Sequence, residues 1–519
     1  MQLQKILKSL SYINIVNEQE IDISNINYNS KKCCSNSVFV AIKGINVDGN
    51  IFIDDAISNG AKVIISENLP ANINSEITYI TVKNPRIALA ELSHCFYNFP
   101  TKNLKIIGIT GTNGKTTTTF LIKSILETAG KNVAIIGTTG IYISNNKNDK
   151  KIEATHTTPE SLELAMLFNE MVNEKIEYVV MEVSSHSLAM HRVYGIDFSV
   201  AAFTNLTHDH LDLHNSFEEY ARTKKMLFDG LSSNSIAIFN GDDKYFDFML
   251  SDCNARQIIV SSKNKIDCHA DKSARNDIIT KPSLREKRSN PLIKTTNYFI
   301  DDIKIDKQNS SFTLANNKNK NIEKLNISTV LTAFFNIQNS ALAVVLCLEL
   351  GIAQDAVSLG ISKSKGAAGR LELVKVCTGA TAYVDYAHTP DALEKSLLAC
   401  KSLLADGGKL ICVFGCGGDR DKTKRPLMGE IAEKYSDTVI ITDDNPRTEN
   451  SQKIIDDILC GIKVPTKTQV IHSRSEAIRY AISISTVSDI ILVAGKGHEN
   501  YQIIGNEKKY FSDVEELQP

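Results

Sequence analysis

The sequence predicts an α/β protein of three domains, with a mainly parallel sheet in the central one. The chain has 519 residues, which is too long for a single hydrophobic core. Short apolar runs alternate along it with stretches of helical periodicity, a pattern typical of parallel sheets covered by helices. This pattern restarts twice, so we place the domains at residues 1–100, 101–367 and 368–519.

Strands and helices alternate in all three blocks. In the first block they are "SVFVAIKG", "FIDDAISNGA", "KVIISE", "ITYITV" and "PRIALAELSHCFY". The second block has strands at "LKIIGIT", "NVAIIGT", "YVVMEVS", "FSVAAFTNL" and "SIAIFN", and helical patterns at "TTTTFLIKSILETAG", "TAFFNIQNSALAVVLCLELG" and "AQDAVSLGISKS". The third has strands at "LELVKV", "TAYVDY", "KLICVFG", "TVIIT", "TQVIH" and "DIILVAG". A polar stretch over 262–326 lacks periodicity, and we expect a surface excursion there.

Composition and charge exclude several classes of protein. Lys and Arg number 58 against 60 Asp and Glu, with no clustered basic excess, so a nucleic-acid-binding surface is not expected. Apolar runs such as "ALAVVLCLEL" are too short to span a membrane, and the first residues turn polar too early for a secretory signal. The 11 cysteines are scattered without the spacing of a zinc site. We therefore expect a cytoplasmic protein with reduced thiols.

A glycine-rich loop follows the strand "LKIIGIT" and opens a helix. The stretch "GITGTNGKTTTT" has the short G-x-x-G-K-T form, because Ile109 stands where the longer motif has glycine. In such a loop backbone N–H groups bind phosphates, Lys115 reaches the terminal phosphates and Thr116 offers a hydroxyl to Mg²⁺. A glycine-rich turn with a chance Lys-Thr pair is the alternative, but the flanking strand and helix favour an ATP site. Its predicted residues are Gly111, Thr112, Asn113, Gly114, Lys115, Thr116 and Thr117.

Two further strands end in residues that could bind a metal ion. "MEVSSHSLAMHR" carries Glu182, and "FTNLTHDHLDLH" carries His210. Parallel strands end at the sheet edge where the phosphate loop lies, so both side chains could meet Thr116 around an ion. Mg²⁺ prefers oxygen ligands, and a histidine therefore suggests a second, less standard ion site. The alternative for His208, His210 and His214 is an ordinary cluster at a helix start.

Ten motifs occur in one order along nearly the whole chain: "GTNGKTT", "HTTP", "MEVSSH", "NLTHDHLDLH", "FNIQN", "AGRLE", "VDYAHTPDAL", "FGCGGDRDKTKRP", "DNPR" and "GKGHE". Together they resemble the Mur ligases, most closely the branch that adds meso-2,6-diaminopimelate to UDP-N-acetylmuramoyl-L-alanyl-D-glutamate. The resemblance implies a small uridine-nucleotide domain, a central P-loop-type ATPase domain and a Rossmann-like C-terminal domain that binds the amino acid. It also implies an ATP-dependent amide ligase of peptidoglycan precursor synthesis that works through an acyl phosphate.

The resemblance further implies two Mg²⁺ ions, held by Thr116, Glu182, His210 and a lysine that CO₂ has carbamylated. A lysine carbamate is an anion and can bind Mg²⁺, whereas an ammonium group would repel it. The family spacing, fourteen residues beyond the histidine, selects Lys224, and a helical rotation of about 100° turns Lys225 to another face. Two solvated helix lysines are the alternative. The implied catalytic residues are Lys115, Glu182, His210 and Lys224.

The remaining substrate contacts are also implied by the resemblance. Where the family has Asp-Ser-Arg at the uridine nucleotide, this chain has Asn29, Ser30 and Lys31. Met190 stands where relatives often have a polar residue. The implied contacts of the UDP-substrate are Ser30, Ile45, Asn46, Val47, His156, Thr157, Thr158, Ser184, Met190 and Arg192. Besides the phosphate loop, the implied ATP contacts are Asn336, Asn339, Arg370, Asp385 and His388.

The stretch "TDDNPRTEN" ends an apolar strand with charges of both signs. Meso-diaminopimelate carries two ammonium and two carboxylate groups, and lysine lacks the distal carboxylate. A guanidinium at that carboxylate would discriminate by charge and bidentate geometry, so Arg447 is predicted to select the amino acid. A plain turn is the alternative, but it does not explain charges on three strand ends. The predicted diaminopimelate pocket is Arg420, Asp444, Asn445, Pro446, Arg447, Gly495 and Glu499.

Related activities are the closest alternatives. They are a ligase that adds L-lysine at the same step, the D-Ala-D-Ala-adding ligase, and folylpolyglutamate synthase, which should lack the D-N-P-R pocket. A non-catalytic ATP-binding sensor is the alternative from another class, and it would be expected to have lost at least one of the four catalytic residues. We expect a monomer whose partners are ATP, the UDP-dipeptide and meso-diaminopimelate.

Overall fold

The structure is a computed structural model that describes the following residues: 1–44, 47–145, 149–154, 156–207, 214, 216–262, 295–316 and 324–518. Three α/β sheets follow one another along these residues, and a short hairpin lies near the end of the chain. The predicted fold class, three α/β units with a mainly parallel sheet in the central one, is confirmed. Within the described ranges, no helix combines the length and the apolar character needed to cross a membrane.

The N-terminal sheet has five strands and is covered by short helices. The strands are β1 (Asn14–Val16), β2 (Asn25–Asn27), β3 (Ser37–Val40), β4 (Ala61–Ser66) and β5 (Thr78–Thr81). The helices are α1 (Leu3–Leu7), α2 (Ile53–Ser58) and α3 (Pro85–Phe96). The sheet order is β1-β5-β4-β3-β2; β1 is antiparallel to β5 and the other pairs are parallel. Asn84 caps α3 by accepting from the backbone N–H groups of Arg86 and Ile87.

The central sheet has eleven strands. They are β6 (Lys105–Thr110), β7 (Val133–Gly137), β8 (Gly140–Ser144), β9 (Asp149–Ile152), β10 (Tyr178–Glu182), β11 (Phe198–Phe203), β12 (Ile236–Asn240), β13 (Arg256–Ser262), β14 (Thr295–Ile305), β15 (Ser310–Asn316) and β16 (Leu325–Thr329). The helices are α4 (Lys115–Thr128), α5 (Ser161–Asn173), α6 (Ser185–Ala189), α7 (Phe217–Asp229), α8 (Phe246–Leu250), α9 (Phe334–Glu349) and α10 (Gln354–Lys363).

Strand order places the phosphate loop in the middle of this sheet. The order is β16-β15-β14-β13-β12-β11-β6-β10-β7-β8-β9, parallel from β14 to β7 and antiparallel at both edges. β6 lies between β10 and β11, and residues on both of its faces are buried, among them Ile106 and Ile107. Both faces are covered, which explains the continuous apolar strands of the sequence. The carboxyl ends of β6, β10 and β11 therefore meet at one edge.

The expected surface excursion over 262–326 is wrong in part. Residues of β14 and β15 extend the central sheet, and Phe312 and Leu314 are each only 2% exposed. Along Thr295–Ile305 the buried positions first alternate with partly exposed ones, as expected for a strand with one covered face. The sequence concealed this period of two, because the polar Thr296 stands at a buried position and the apolar Phe299 at a partly exposed one. Residues 263–294 and 317–323 lie outside the described residues.

The C-terminal sheet has six strands. The strands are β17 (Glu372–Lys375), β18 (Thr381–Asp385), β19 (Leu410–Phe414), β20 (Thr438–Ile441), β21 (Thr468–Val470) and β22 (Ile490–Ala494), followed by the hairpin β23 (Tyr501–Ile504) and β24 (Glu507–Tyr510). The helices are α11 (Pro390–Ser402), α12 (Lys424–Tyr435), α13 (Ser451–Leu459), α14 (Arg474–Ser483) and α15 (Asp513–Leu517). The order is β17-β18-β22-β19-β20-β21, and β17 alone in this sheet of described residues is antiparallel to its neighbour.

Candidate active site

The phosphate loop runs close to its neighbours, and two of its glycines make this possible. Gly111 and Gly114 have φ angles of 148° and 84°. A Cβ added at Gly111 would lie 1.9 Å from Thr204 Oγ1, and one at Gly114 would lie 2.4 Å from Asn339 Oδ1. Glycine alone tolerates both the backbone conformation and these approaches. The loop leads directly into α4, whose N-terminus favours bound phosphate.

Two residues that the sequence prediction missed hold the phosphate loop. The carbonyl oxygen of Asn205 accepts from Thr112 N at 2.8 Å, and its Oδ1 accepts from Asn113 N at 3.0 Å. Thr204 Oγ1 donates to Asn113 O at 2.6 Å. Both residues follow β11, the parallel neighbour of β6, and Phe203 is level with Thr110. A signal existed in the sequence, because polar residues follow "FSVAAF" directly.

Two lysines converge on one carbonyl oxygen of the loop. Lys115 Nζ donates to Gly111 O at 2.9 Å and to Thr112 O at 2.8 Å. Lys224, on α7, also donates to Gly111 O at 2.9 Å, and it is only 1% exposed. The Lys224 side chain is therefore buried within hydrogen-bond distance of the phosphate loop, which is the position that the predicted carbamate requires.

Lys225 lies in different surroundings although it is the next residue. Its ammonium pairs with Asp229, one turn along α7, and lies 3.6 Å from Asp252 Oδ2. The two candidate lysines therefore occupy different faces of the helix, as the helical rotation predicted. Lys224 is the one that reaches the phosphate loop.

Glu182 and Thr116 supply the oxygen atoms that Mg²⁺ prefers. Glu182 is 1% exposed and lies at the end of β10, level with Ile109. Its carboxylate accepts from Thr138 N at 2.9 Å and from Thr138 Oγ1 at 3.2 Å. A Cβ at Gly137 would lie 2.3 Å from Glu182 Oε1, so glycine makes room for this carboxylate. A buried carboxylate at the end of β10 and a buried hydroxyl in the first turn of α4 are ligand types that fit an Mg²⁺ ion.

The predicted metal set is incomplete in the part of the chain that the structure describes. No group of three His, Cys, Asp or Glu side chains gathers there as a metal site. The prediction instead combines Thr116, Glu182 and a modified Lys224 with His210. His210 lies outside the described residues. His214 is 2% exposed, and its ring lies against that of Tyr220 with 5.3 Å between the ring centres.

Several predicted contacts of the UDP-substrate meet beside Glu182. Thr158 Oγ1 donates to Glu182 O at 2.8 Å and lies 3.4 Å from Ser184 Oγ. Arg192 donates from Nη1 to Thr158 O at 3.0 Å and from Nη2 to Met190 Sδ at 3.5 Å. The Met190 sulfur therefore helps to orient the Arg192 guanidinium through a weak contact. Met190, Thr158, Ser184 and Arg192 form one group.

The other predicted contacts of the UDP-substrate are more dispersed. Thr157 lies with its Oγ1 3.1 Å from Thr138 Oγ1, and His156 is exposed. Ser30 begins a short 3₁₀-helix in the N-terminal unit, and Val47 is 52% exposed. Tyr28, two residues before Ser30, donates from its hydroxyl to Glu163 on α5 at 2.7 Å, which links the N-terminal unit to the central one. Ile45 and Asn46 lie outside the described residues.

The two asparagines predicted for ATP face the start of α4. Asn336 and Asn339 are 1% and 4% exposed and lie three residues apart on α9. Asn339 Nδ2 donates to Asn336 Oδ1 at 3.3 Å, and Asn336 Nδ2 donates to Thr332 O at 2.8 Å. With Asn339 Oδ1 close to Gly114, the pair lies directly beside the phosphate loop.

Residues of the C-terminal unit reach the same place. Arg370 Nη2 lies 3.4 Å from Thr116 Oγ1, and its guanidinium stacks over the Tyr386 ring at 4.7 Å. Asp385 accepts from Leu371 N at 2.6 Å, and burial raises the pKa of its carboxyl. His388 is exposed, and its Nδ1 is 2.8 Å from Tyr386 O. Arg370 is thus the predicted C-terminal residue that contacts the phosphate-loop helix.

Three neighbouring parallel strands of the C-terminal sheet end at the predicted diaminopimelate pocket. β19, β20 and β22 lead into 415–420, 442–447 and 495–499. Asn445 Nδ2 donates to Glu499 Oε2 at 2.9 Å, and a Cβ at Gly495 would lie 2.6 Å from Asp444 Oδ2. Burial, followed by the nearby Asp444, raises the pKa of Glu499. Asp444, Asn445, Gly495 and Glu499 therefore form one cluster.

The two arginines of the predicted pocket differ in position. Arg447 has a left-handed φ of 54°, and its backbone N–H donates to Ile503 O at 3.1 Å. Its Nη1 donates to Gly418 O at 2.8 Å, on the loop after β19. Arg420 is exposed, and its Nη1 donates to Asp419 O at 3.1 Å. Pro446 is buried between these loops, and a Cβ at Gly418 would lie 1.8 Å from its carbonyl oxygen.

Two residues at the centre of these contacts were not predicted. Lys496, 0% exposed, donates to Asn445 Oδ1 at 3.1 Å, inside the predicted diaminopimelate pocket. Asp391, on α11, accepts from Asn113 of the phosphate loop at 2.9 Å. Each lies inside a motif that the sequence displays, "GKGHE" and "VDYAHTPDAL". Their partners are distant in sequence, so the motifs alone did not show what these side chains contact.

Comparisons with known proteins agree with this architecture. Three family models match in order: the Mur ligase family catalytic domain over 22–97, the Mur ligase middle domain over 109–347 and the Mur ligase glutamate ligase domain over 369–497. A solved structure of a UDP-N-acetylmuramoyl-L-alanyl-D-glutamate–2,6-diaminopimelate ligase superposes with a TM-score of 0.67 and 29% identity. That comparison covers 100% of this chain and 98% of the other.

Two relatives are similar over almost their whole length. UDP-N-acetylmuramoyl-L-alanyl-D-glutamate–2,6-diaminopimelate ligase 1 of Clostridium acetobutylicum is 41% identical, covering 99% of this chain and 98% of the relative. UDP-N-acetylmuramoyl-L-alanyl-D-glutamate–2,6-diaminopimelate ligase of Clostridium tetani is 42% identical, again covering 99% of this chain and 98% of the relative. Identity at this level over the full chain, together with the three domain matches, establishes the family. The protein belongs to the Mur ligase family.

Proposed function

We propose that this protein is an ATP-dependent ligase that joins meso-2,6-diaminopimelate to UDP-N-acetylmuramoyl-L-alanyl-D-glutamate in peptidoglycan precursor synthesis. The name shared by its relatives supports this activity. The observation that carries it is the cluster of Asp444, Asn445 and Glu499 at the edge of the C-terminal sheet, with Arg447 beside it. Arg370 of the same unit contacts the phosphate-loop helix. One protein thus has a site for ATP and a nearby site for a ligand with charges of both signs.

The reaction proceeds in two steps. A carboxylate oxygen of the UDP-dipeptide attacks the γ-phosphorus of ATP, forming an acyl phosphate and releasing ADP. The amine of diaminopimelate then attacks the acyl carbon, phosphate leaves and the amine proton is lost, which gives the amide. The first step brings two anions together, so cations must offset their repulsion.

Lys115 and the loop N–H groups bind the phosphates of ATP. Two Mg²⁺ ions would be held by Thr116, Glu182, His210 and Lys224 as a carbamate, and they would supply positive charge to offset the repulsion between carboxylate and phosphate. Lys224 is buried, and its Nζ lies 2.9 Å from Gly111 O, so a carbamate there would lie within reach of the phosphate loop. Arg370 adds a guanidinium next to Thr116. Asn336 and Asn339 are assigned to the adenine.

The UDP-substrate is assigned to the N-terminal unit and the adjoining edge of the central sheet. Arg192, oriented by Thr158 and by Glu160 at 3.5 Å, is the cation suited to an anionic part of that substrate. Ser184 caps α6, so the N-terminus of that short helix lies beside the same group. The remaining contacts, including Ile45, Asn46 and Val47, follow from the family resemblance.

Arg447 and Glu499 are assigned to the distal amino acid end of diaminopimelate. A carboxylate there would meet the guanidinium, and an ammonium would meet the carboxylate cluster. L-Lysine offers no distal carboxylate and would leave Arg447 without that partner. We further propose that the enzyme acts as a cytoplasmic monomer with domains at 1–100, 101–367 and 368–519.

ADP release with the UDP-dipeptide, ATP and Mg²⁺ tests this function. We expect release on addition of meso-diaminopimelate and little release with L-lysine or D-alanyl-D-alanine. The product should be heavier than the UDP-dipeptide by one diaminopimelate less one water. Turnover with L-lysine alone would assign the lysine-adding activity instead. ATP binding without ligation in the presence of any of these amino acids would indicate a sensor.

A further inference from the structure

Lys496 is a buried lysine in a turn that two glycines allow. It follows β22, and its neighbours Gly495 and Gly497 have φ angles of 113° and 53°. A Cβ at Gly497 would lie 2.8 Å from Gly369 O, so the turn packs directly against the segment that carries Arg370. The Lys496 side chain is 0% exposed, which is rare for lysine unless its charge is compensated.

The Lys496 ammonium lies among the polar groups of the diaminopimelate cluster. It donates to Asn445 Oδ1 at 3.1 Å and to Glu499 Oε2 at 3.4 Å, and it lies 3.9 Å from Asp444 Oδ1. The Tyr501 ring lies below it with 5.6 Å to the ring centre. One cation therefore contacts three residues that come from the ends of two different strands.

These contacts determine the orientation of the Asn445 amide. Its Oδ1 accepts from Lys496 Nζ and from Ile503 N, the latter at 2.9 Å, so the amide nitrogen must point the other way. That nitrogen donates to Glu499 Oε2 at 2.9 Å. Without Lys496 the amide oxygen would lose one donor, and Glu499 would lose one of the two groups that hold its Oε2.

The charges around Lys496 leave one negative charge for a ligand. Its ammonium interacts with Asp444, Glu499, Asp513 and Arg474. Arg474 and Asp513 form a fully buried ion pair with 2.7 Å between Nε and Oδ1. Among the groups that act on Lys496, two cations against three carboxylates leave a net charge of minus one, which one substrate ammonium neutralises, while Arg447 beside them is left for the substrate carboxylate. Removing Lys496 would leave minus two, and Asp444 would then repel Glu499 without a cation between them.

We infer that Lys496 is a positioning residue for the amino-acid substrate: it orients Asn445 and Glu499 and offsets one of the two carboxylates, so that the cluster accepts a single ammonium group. This inference rests on the proposed function, because the ammonium is that of diaminopimelate's distal end. Lys496 acts through Asn445 and Glu499, and its own donors are directed at these protein groups.

The pH dependence of substrate binding separates this role from simple structural support. Burial and the nearby Asp444 raise the pKa of Glu499, whereas Lys496 opposes that rise. Loss of Lys496 should therefore raise the pKa further, so that Glu499 becomes protonated and uncharged at a higher pH. The acid limb of kcat/KM for diaminopimelate should shift upward by about one pH unit or more in Lys496→Met.

The experiment compares Lys496→Met, Lys496→Arg and the exposed hairpin control Lys509→Met with wild type. The wild-type enzyme is first shown to ligate diaminopimelate. We then measure kcat and KM for diaminopimelate and for ATP as a function of pH, from neutral pH down through the acid limb. Lys496→Met should raise KM for diaminopimelate at least about tenfold at neutral pH with little change for ATP. Lys496→Arg should keep the acid limb near its wild-type position, and Lys509→Met should match wild type.

Each outcome has a defined meaning. An unshifted acid limb in Lys496→Met, or equal losses for ATP and diaminopimelate, would overturn the inference. If that variant does not fold, Lys496→Gln takes its place and should show the same upward shift of the acid limb. An unshifted limb in Lys496→Gln would overturn the inference. Absence of diaminopimelate ligation by wild type would instead reject the proposed function.

Discussion

Asp391 Oδ2 lies 2.9 Å from Asn113 Nδ2, so a carboxylate of the C-terminal unit accepts a hydrogen bond from the phosphate loop of the central unit. The same oxygen accepts from Thr207 Oγ1 at 2.9 Å and from Lys395 Nζ at 2.9 Å. Asp391 is in the first turn of α11, which begins after the Thr389 cap. This helix therefore fixes the phosphate loop, the proposed site of ATP, relative to the C-terminal sheet, the proposed site of the amino acid.

Replacing Asp391 with alanine should weaken ATP binding. Asn113 and Thr207 would both lose their acceptor, and a hydrogen bond to a charged group contributes about 1.5–3 kcal/mol. We expect KM for ATP to rise about tenfold or more, measured by ADP release at saturating diaminopimelate. Asp406→Ala, at an exposed position after α11, is the matched control and should match wild type. Equal effects of the two changes would contradict the contact's importance.

The two adjacent lysines of α7 should differ sharply in their effect on catalysis. Lys224→Ala should nearly abolish ligation, because Lys224 is the lysine that reaches the phosphate loop. Added short carboxylates should recover part of the activity by taking the place of the proposed carbamate. Lys225→Ala should retain most of the activity, since Lys225 pairs with Asp229 away from the loop. Wild-type turnover by Lys224→Ala would refute the carbamate assignment.

Local signals in the sequence predicted the fold and the main positions of the candidate site. Apolar strands followed by polar residues identified the ends of β6, β10 and β20, and the family spacing together with helical rotation separated Lys224 from Lys225. Contacts between distant segments could not be predicted in this way. Asp391 is 278 residues from Asn113, and Lys496 is 51 residues from Asn445. No local period indicates which side chains two separate strand ends will bring together.

The strands β14 and β15, which lie where a surface excursion was expected, should each contribute to stability mainly through their buried face. Phe312 is 2% exposed and packs in the core of the central sheet, so Phe312→Ala should cost about 3–5 kcal/mol. Phe299 lies on the neighbouring strand β14 at a partly exposed position, and Phe299→Ala should cost clearly less. The loss of stability in the two variants is compared by thermal unfolding, with ADP release as a second measure of the folded enzyme. Equal losses would contradict the alternation of buried and exposed positions.

Glu449 should make stability depend on acid pH. Hydrogen bonds from Arg425, at 3.0 Å and 3.1 Å, lower the pKa of its carboxyl from 4.5 to about 2. A carboxyl whose pKa is lower in the folded state stabilises above its unfolded value, and this stability is lost as the pH falls through the folded value. Near neutral pH, Glu449→Gln should therefore have a lower thermal midpoint than wild type. The difference between the two midpoints should shrink as the pH falls below about 4.5.

The exposed hairpin variant Glu507→Gln is the control for Glu449→Gln. It should leave the thermal midpoint unchanged at every pH. A midpoint difference for Glu449→Gln that stays constant as the pH falls below about 4.5 would show that packing, not charge, is responsible.

Selection of the amino acid by Arg447 is the central claim, and kcat/KM for meso-diaminopimelate and L-lysine tests it most directly. Wild type should favour diaminopimelate by roughly a hundredfold or more, because lysine would leave the guanidinium without its carboxylate. Arg447→Ala should lose mainly diaminopimelate turnover, with little change in KM for ATP, and the ratio between the two amino acids should narrow. A ratio that is the same in wild type and variant would show that Arg447 only shapes the loop that its bond to Gly418 holds.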